Sequence, residues 1–312
     1  MNAGRWWRPW RGSWIKPVAE PIFERMALIG VGLIGSSLAR RARERGDLAR
    51  EVVANARTQA TLDRVAELGI ADRVELDPAR AVEGADLVVL CAPVGVYADL
   101  AAAIAPHLAH GAIITDVGST KVSVIRDVGP LLPAHTHFVP GHPLAGTEFS
   151  GPDAGFASLF EGRWTILTPP PGTDGDAVAR LRLLWERCGA NVAVMDAPHH
   201  DRVLAITSHL PHLLAFTICG TADDLATETR DEVLQFAASG FRDFTRIAAS
   251  DPVMWRDIFM NNREALLEML ARFTEDAQAM ARAVRWGDAD YIVDKINRSR
   301  KIRKNLIEIK QA

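Results

Sequence analysis

Three glycines and a small set of imidazole, hydroxyl and guanidinium groups carry the chemistry open to this sequence. The apolar run from Met26 closes on Gly30, Gly32 and Gly35 and opens into helix-forming residues. That is the form of a dinucleotide-binding turn. Gly30 allows the tight turn, Gly32 lets backbone approach a pyrophosphate, and Gly35 lets helix pack closely on strand. Unpaired N–H groups where the helix starts, at Leu33 and Ile34, then point at the phosphates. Among titratable groups, His142 sits between Gly141 and Pro143 just after an apolar strand, Thr136 to Val139. A neutral imidazole in such a loop is suited to taking a proton near pH 7. His209 and His212 are three apart and share one helix face, with Pro211 between them. They and the nearby His199 and His200 lack the glutamate or cysteine spacing of a metal site, so no metal is expected. Arg242 and Arg246 lie on a segment with Phe241, Phe244 and Ile247. Guanidinium groups on so apolar a stretch call for carboxylates.

The elements that must position these groups alternate strand and helix over the first half. After the glycine turn, a helix is expected over residues 38–50 and a buried strand over 51–54. Where an acid would bind the ribose 2′-hydroxyl of NAD, about twenty residues after the last glycine, the sequence has Asn55, Ala56, Arg57 and Thr58. No carboxylate is there to repel a 2′-phosphate, and Arg57 and Thr58 suit one, so NADP is expected to be accepted as well as NAD. The apolar run from Ala85 ends at Ala92 and Pro93, where the chain leaves the sheet at the edge that binds ligands. A strand to Asp116 ends in a turn bearing Ser119, and segments near 164–168 and 191–195 complete the sheet domain. Beyond Pro198 the pattern is helical throughout. The expected division is a Trp-rich basic extension over 1–22, a dinucleotide-binding domain over 23–197 and a helical domain over 198–312. The fold class is thus an α/β Rossmann-like N-terminal domain followed by an all-α C-terminal dimerisation domain.

Composition is that of an ordinary globular chain: 312 residues, 48% hydrophobic, 24% charged, net charge −3. Such a balance gives no reason to expect a nucleic-acid partner, and no apolar run reads as long enough for a membrane span. Three scattered cysteines fit a reducing cytoplasm. The extension, with Trp6, Trp7, Trp10 and Trp14 among basic residues, lacks the apolar core of a secretory signal.

Four ordered motifs go further: Gly141 to Glu148, Thr207 to His212, Ser239 to Ile247, and Asp251 to Asp257. Together with the turn from Asp116 to Lys121, they resemble the TyrA family, the prephenate and arogenate (cyclohexadienyl) dehydrogenases of tyrosine biosynthesis, from about Phe23 to Tyr291. The resemblance implies oxidative decarboxylation of prephenate or arogenate. His142 would be the base for the ring hydroxyl and Ser119 its hydrogen-bonding partner, although Ser119 also suits a helix N-cap. Arg246 would hold the ring carboxylate, with His209, His212, Ser208, Glu148, Asp243 and Trp255 lining the substrate site. Gly30, Gly32, Leu33, Ile34, Gly35, Arg57, Thr58, Ala92 and Pro93 would bind the cofactor. The family is dimeric through its helical domain, and the apolar stripe Leu266, Leu267, Leu270, Phe273, Ile292, Ile296, Ile302, Leu306 and Ile309 fits a homodimer. Neither a tyrosine-sensing domain nor a fused chorismate mutase segment is expected in this length. A hydroxyacid dehydrogenase, an imine reductase or a non-catalytic dinucleotide-sensing module would share the glycine turn.

Overall fold

A computed structural model describes residues 20–147, 149–225, 231–233 and 235–308. Most of the basic extension and Ile309 lie outside these. The chain forms two compact units. One runs to Ala92 and then takes Val96–Gly118 and Asp127–Met195; the other takes Pro93–Gly95, Ser119–Arg126 and the chain from Asp196.

In the first unit, six parallel strands are ordered β3-β2-β1-β4-β5-β6. They are β1 (Phe23–Ile29), β2 (Ala49–Asn55), β3 (Arg73–Glu75), β4 (Leu87–Leu90), β5 (Ile113–Asp116) and β6 (His137–Phe138). Strands β4 and β5 are buried along their whole length, as continuous apolar runs covered on both faces must be. The order reverses between β1 and β4, and at that point a dinucleotide binds at the carboxyl ends of the strands. Helix α1 (Leu33–Arg45) starts directly at the glycine turn, five residues before the expected start. It stops at Gly46, in the left-handed region at φ 65°, which frees residues up to Arg50 to enter β2.

The sequence reading placed the last strands in this same sheet. They form a second one instead: β7 (Gly141–Pro143), β8 (Trp164–Leu167) and β9 (Asn191–Val194), with β7 antiparallel to β8. Pro140 explains the switch. Val139 still donates to the Ile114 carbonyl of the large sheet, but Pro140 has no N–H to continue the ladder, and its carbonyl accepts from Thr168 of the small one at 2.9 Å.

The helical unit contains α7 (Ala197–Leu204), a π-helical turn (Ala205–His209) and α8 (Leu210–Asp223), then helices Ser239–Thr245, Pro252–Asn261, Arg263–Trp286 and Ala289–Glu308. The π turn lies directly ahead of Pro211. Leu210 donates to Ala205, five residues back, so the ladder changes register just before Pro211, which falls in the first turn of α8 where no N–H is needed. Running together, residues 197–223 make a helix long and apolar enough, by length and composition, to cross a bilayer, which corrects the sequence expectation. Its polar positions His200, Asp201 and His209 are buried and hydrogen-bonded inside the helical unit.

Candidate functional site

Each glycine of the turn does a different job. Gly30 has φ 102°, and a Cβ there would lie 2.9 Å from the Ala92 nitrogen. A Cβ on Gly35 would run into the Gly30 carbonyl, so only glycine lets α1 close onto the turn. At Gly32 nothing lies within 4 Å of a Cβ, leaving the open approach that a pyrophosphate requires. Gly32 is the N-cap of α1, and among the described residues no side chain caps its N-terminal N–H groups. These residues fit a dinucleotide. At the end of β2, Asn55 is buried and its amide donates to the Glu75 and Leu76 carbonyls, with no carboxylate in the ribose position. Arg57 is exposed. Thr58 serves as N-cap of α2 (Gln59–Glu67), a role the sequence reading did not give it.

His142 is buried in β7, opposite Ile166 of β8. The backbone before it is fixed by Asp116, the last residue of β5. One Asp116 oxygen accepts from the Gly141 nitrogen at 3.2 Å, and the other from the Gly118 nitrogen at 2.8 Å. A single buried carboxylate thus holds the residue preceding His142 and the residue preceding Ser119. Its charge, after burial itself, helps push up the Cys91 thiol and the Tyr97 hydroxyl, keeping both protonated. The motif contained Asp116, but nothing in its sequence context pointed to Gly141.

In the second unit, the start of α5 (Val122–Val128) is held by Asp201 of α7, whose two oxygens accept from the Lys121 and Val122 nitrogens at 2.8 and 2.9 Å. The Thr120 hydroxyl bonds Ser123. The N-terminus of α5 is therefore met by Asp201, and the alternative of Ser119 as its cap is not what these bonds show.

A cluster of rings forms around Trp255. His212 stacks on it with ring centroids 3.6 Å apart, His209 meets it edge-on at 6.2 Å, and Phe216 and Phe259 close the sides. The His212 Nδ1–H donates to the Ser208 carbonyl at 2.9 Å. Burial, then the charge of Arg246, lowers the His212 pKa. Burial lowers that of His209 to about 4, the neighbouring Asp201 opposing and His200 and His212 adding to the effect. Both rings are neutral at pH 7. The Nε2 of His209 and the Nε1 of Trp255 are buried without a hydrogen-bond partner among the described residues. Such donors are suited to oxygen atoms of a ligand.

The family models for the nucleotide-binding and dimerization domains of prephenate dehydrogenase match residues 38–194 and 196–298. The chain belongs to the prephenate dehydrogenase family. Two relatives match it over nine tenths of its length. A cyclohexadienyl dehydrogenase of Zymomonas mobilis is 42% identical over 90% of this chain and 96% of its own. A prephenate dehydrogenase of Lactococcus lactis is 34% identical over 90% and 77%. The structure of an A. aeolicus prephenate dehydrogenase, solved with hydroxyphenyl propionate and NAD+, superimposes with TM-score 0.85 at 30% identity, over 91% of this chain and 98% of that one.

Among the residues expected for a family member, the structure gathers His209, His212, Ser208, Trp255 and Arg246 within the helical unit. Gly30, Gly32, Leu33, Ile34, Gly35 and Ala92 meet at the strand ends of the other, while Pro93 groups with the helical unit. Glu148 lies outside the described residues. Asp243 is exposed in helix Ser239–Thr245, and Asp257 pairs with Arg256 at 2.7 Å. Among the described residues no group of three or more His, Cys, Asp or Glu could hold a metal ion.

Proposed function

We propose that this chain catalyses the NAD(P)-dependent oxidative decarboxylation of prephenate, arogenate or both, in tyrosine biosynthesis. The observation that carries the reading is the match to the Zymomonas cyclohexadienyl dehydrogenase across both domains. A bound nicotinamide would supply the acceptor for a hydride from the ring carbon that bears the hydroxyl. The ring carboxylate leaves as carbon dioxide, and the ring becomes aromatic.

The chain's own groups supply the rest. His142 takes the hydroxyl proton, helped by Ser119 as orienting partner. Arg246, exposed at the end of its helix, pairs with the ring carboxylate, while His209, His212, Ser208, Glu148, Asp243 and Trp255 line the substrate site. The cofactor is cradled by Gly30, Gly32 and Gly35, with Leu33, Ile34, Ala92 and Pro93. At the ribose, Arg57 and Thr58 favour NADP because Asn55 offers no negative charge. The helical half pairs with a second copy, and three cysteines without a disulfide suit the cytoplasm.

The test is to assay carbon dioxide release from prephenate and from arogenate, each with NAD and with NADP. Release from either substrate supports the reading, and none from both overturns it. Arg57→Ala should lower kcat/KM with NADP relative to NAD; an unchanged ratio removes Arg57 from the cofactor site.

A further inference from the structure

Asn262 sits at the break between helices Pro252–Asn261 and Arg263–Trp286, with 5% of its surface exposed. Its backbone is fully used: the N–H donates to Ile258 and the carbonyl accepts from Leu266. Only the side-chain amide remains. Its Nδ2 lies 2.8 Å from the Asp201 carbonyl oxygen and 3.0 Å from His209 Nδ1. A carbonyl can only accept, so the atom facing it must be the amide nitrogen, which fixes the orientation of the group. That nitrogen has two hydrogens and two acceptors. His209 Nδ1 is then an acceptor, and the proton of the neutral ring is on Nε2, the buried atom that lacks a partner among the described residues.

We propose that Asn262 is a positioning residue: it locks His209 as an Nε2–H donor reserved for an oxygen of the bound cyclohexadienyl acid. The ligand half of this proposal rests on the function given above. Held this way, with Nδ1 occupied by Asn262, His209 can offer a ligand only its Nε2–H, so it cannot serve as the base, and that role is left to His142. The groups facing His209 are the Asp201 carboxylate, the imidazoles of His200 and His212, and the edge of Trp255. Asn262 is the one whose geometry selects a tautomer.

Nitrogen-15 NMR of histidine-labelled full-length protein distinguishes the two neutral tautomers, with His209 assigned by comparison with His209→Gln. His209 should be Nε2-protonated at pH 7, and its resonance should move when the product, 4-hydroxyphenylpyruvate or tyrosine according to the substrate turned over, is added. In Asn262→Leu, which keeps the volume and removes the donor, the tautomer preference should vanish. Its kcat should fall about tenfold or more while KM for the cofactor stays within about twofold. Asn262→Asp should place a proton on Nδ1 and add an ionisation to the kcat profile that the wild type lacks. An Nδ1-protonated His209 in the wild type, no response to product, or an Asn262→Leu enzyme with unchanged kcat overturns the proposal. The wild-type measurements do not depend on whether the variants fold. Should the wild type release no carbon dioxide from either substrate, the function fails, while the tautomer result still decides the role of Asn262.

Discussion

Two imidazoles three residues apart on one helix carry their protons on opposite nitrogens: His209 on Nε2, His212 on Nδ1, where the Ser208 carbonyl accepts it. Their spacing was legible in the sequence; the tautomer of His209 was not, because it is set by Asn262, 53 residues away. The depressed pKa of His209 has a consequence for stability. Its folded value near 4 lies below the ordinary 6.5, so below pH 6.5 the unfolded chain takes up a proton that the folded chain refuses. Stability is therefore lost as pH falls from about 6.5 to about 4, by up to roughly 3 kcal/mol, and no further from this group below that. Urea midpoints measured at pH 7, 5.5 and 4 should fall accordingly, and His209→Gln should flatten much of that slope. At the reacting groups, His142→Asn should reduce turnover by about two to four powers of ten with cofactor binding nearly normal. Arg246→Ala should raise KM for prephenate by about ten- to a hundredfold, and an unchanged KM removes its proposed role.

Elements are held in place here by carboxylates reaching across the chain. Asp116 ties the ends of two loops within one unit, and Asp201 receives the first N–H groups of α5 within the other. Asp116→Asn swaps one acceptor for a donor, which confronts either the Gly141 or the Gly118 N–H. It should lower kcat about tenfold while leaving KM for the cofactor near its original value, since Gly30 to Gly35 are untouched. A wild-type kcat would show that this carboxylate does not set the catalytic geometry. The glycine turn was readable because its three functions depend on residue type at fixed local spacing. The move of β7 to β9 into their own sheet was not. Hydrophobic periodicity marks where strands are, but partner choice was decided by one missing N–H at Pro140 and by a pairing with Thr168, 28 residues on.

At the scale of the whole molecule, the helical half leaves large apolar side chains uncovered in the single chain. Trp286 is 79% exposed, Ile302 65% and Met260 64%. Leu267, Phe273 and Ile296 of the stripe seen in the sequence are exposed with them. Surface of this kind on a domain matched by a dimerization model supports a second copy as its cover. Sedimentation equilibrium at micromolar concentration should give twice the 34.1 kDa of one chain, and a monomer mass would contradict the homodimer. The domain boundary at residue 195 is also less of a seam than it looks, because Ser119–Arg126 belongs to the helical unit. During synthesis, Lys121 leaves the ribosome 80 residues ahead of the Asp201 that receives its N–H. At ordinary translation rates that is a wait of about 4 to 16 seconds, through which a buried lysine and the start of α5 go without their anchor. A gene split at residue 195 makes that wait permanent, so the nucleotide-binding half released alone should be a client for chaperones and not a free-standing module.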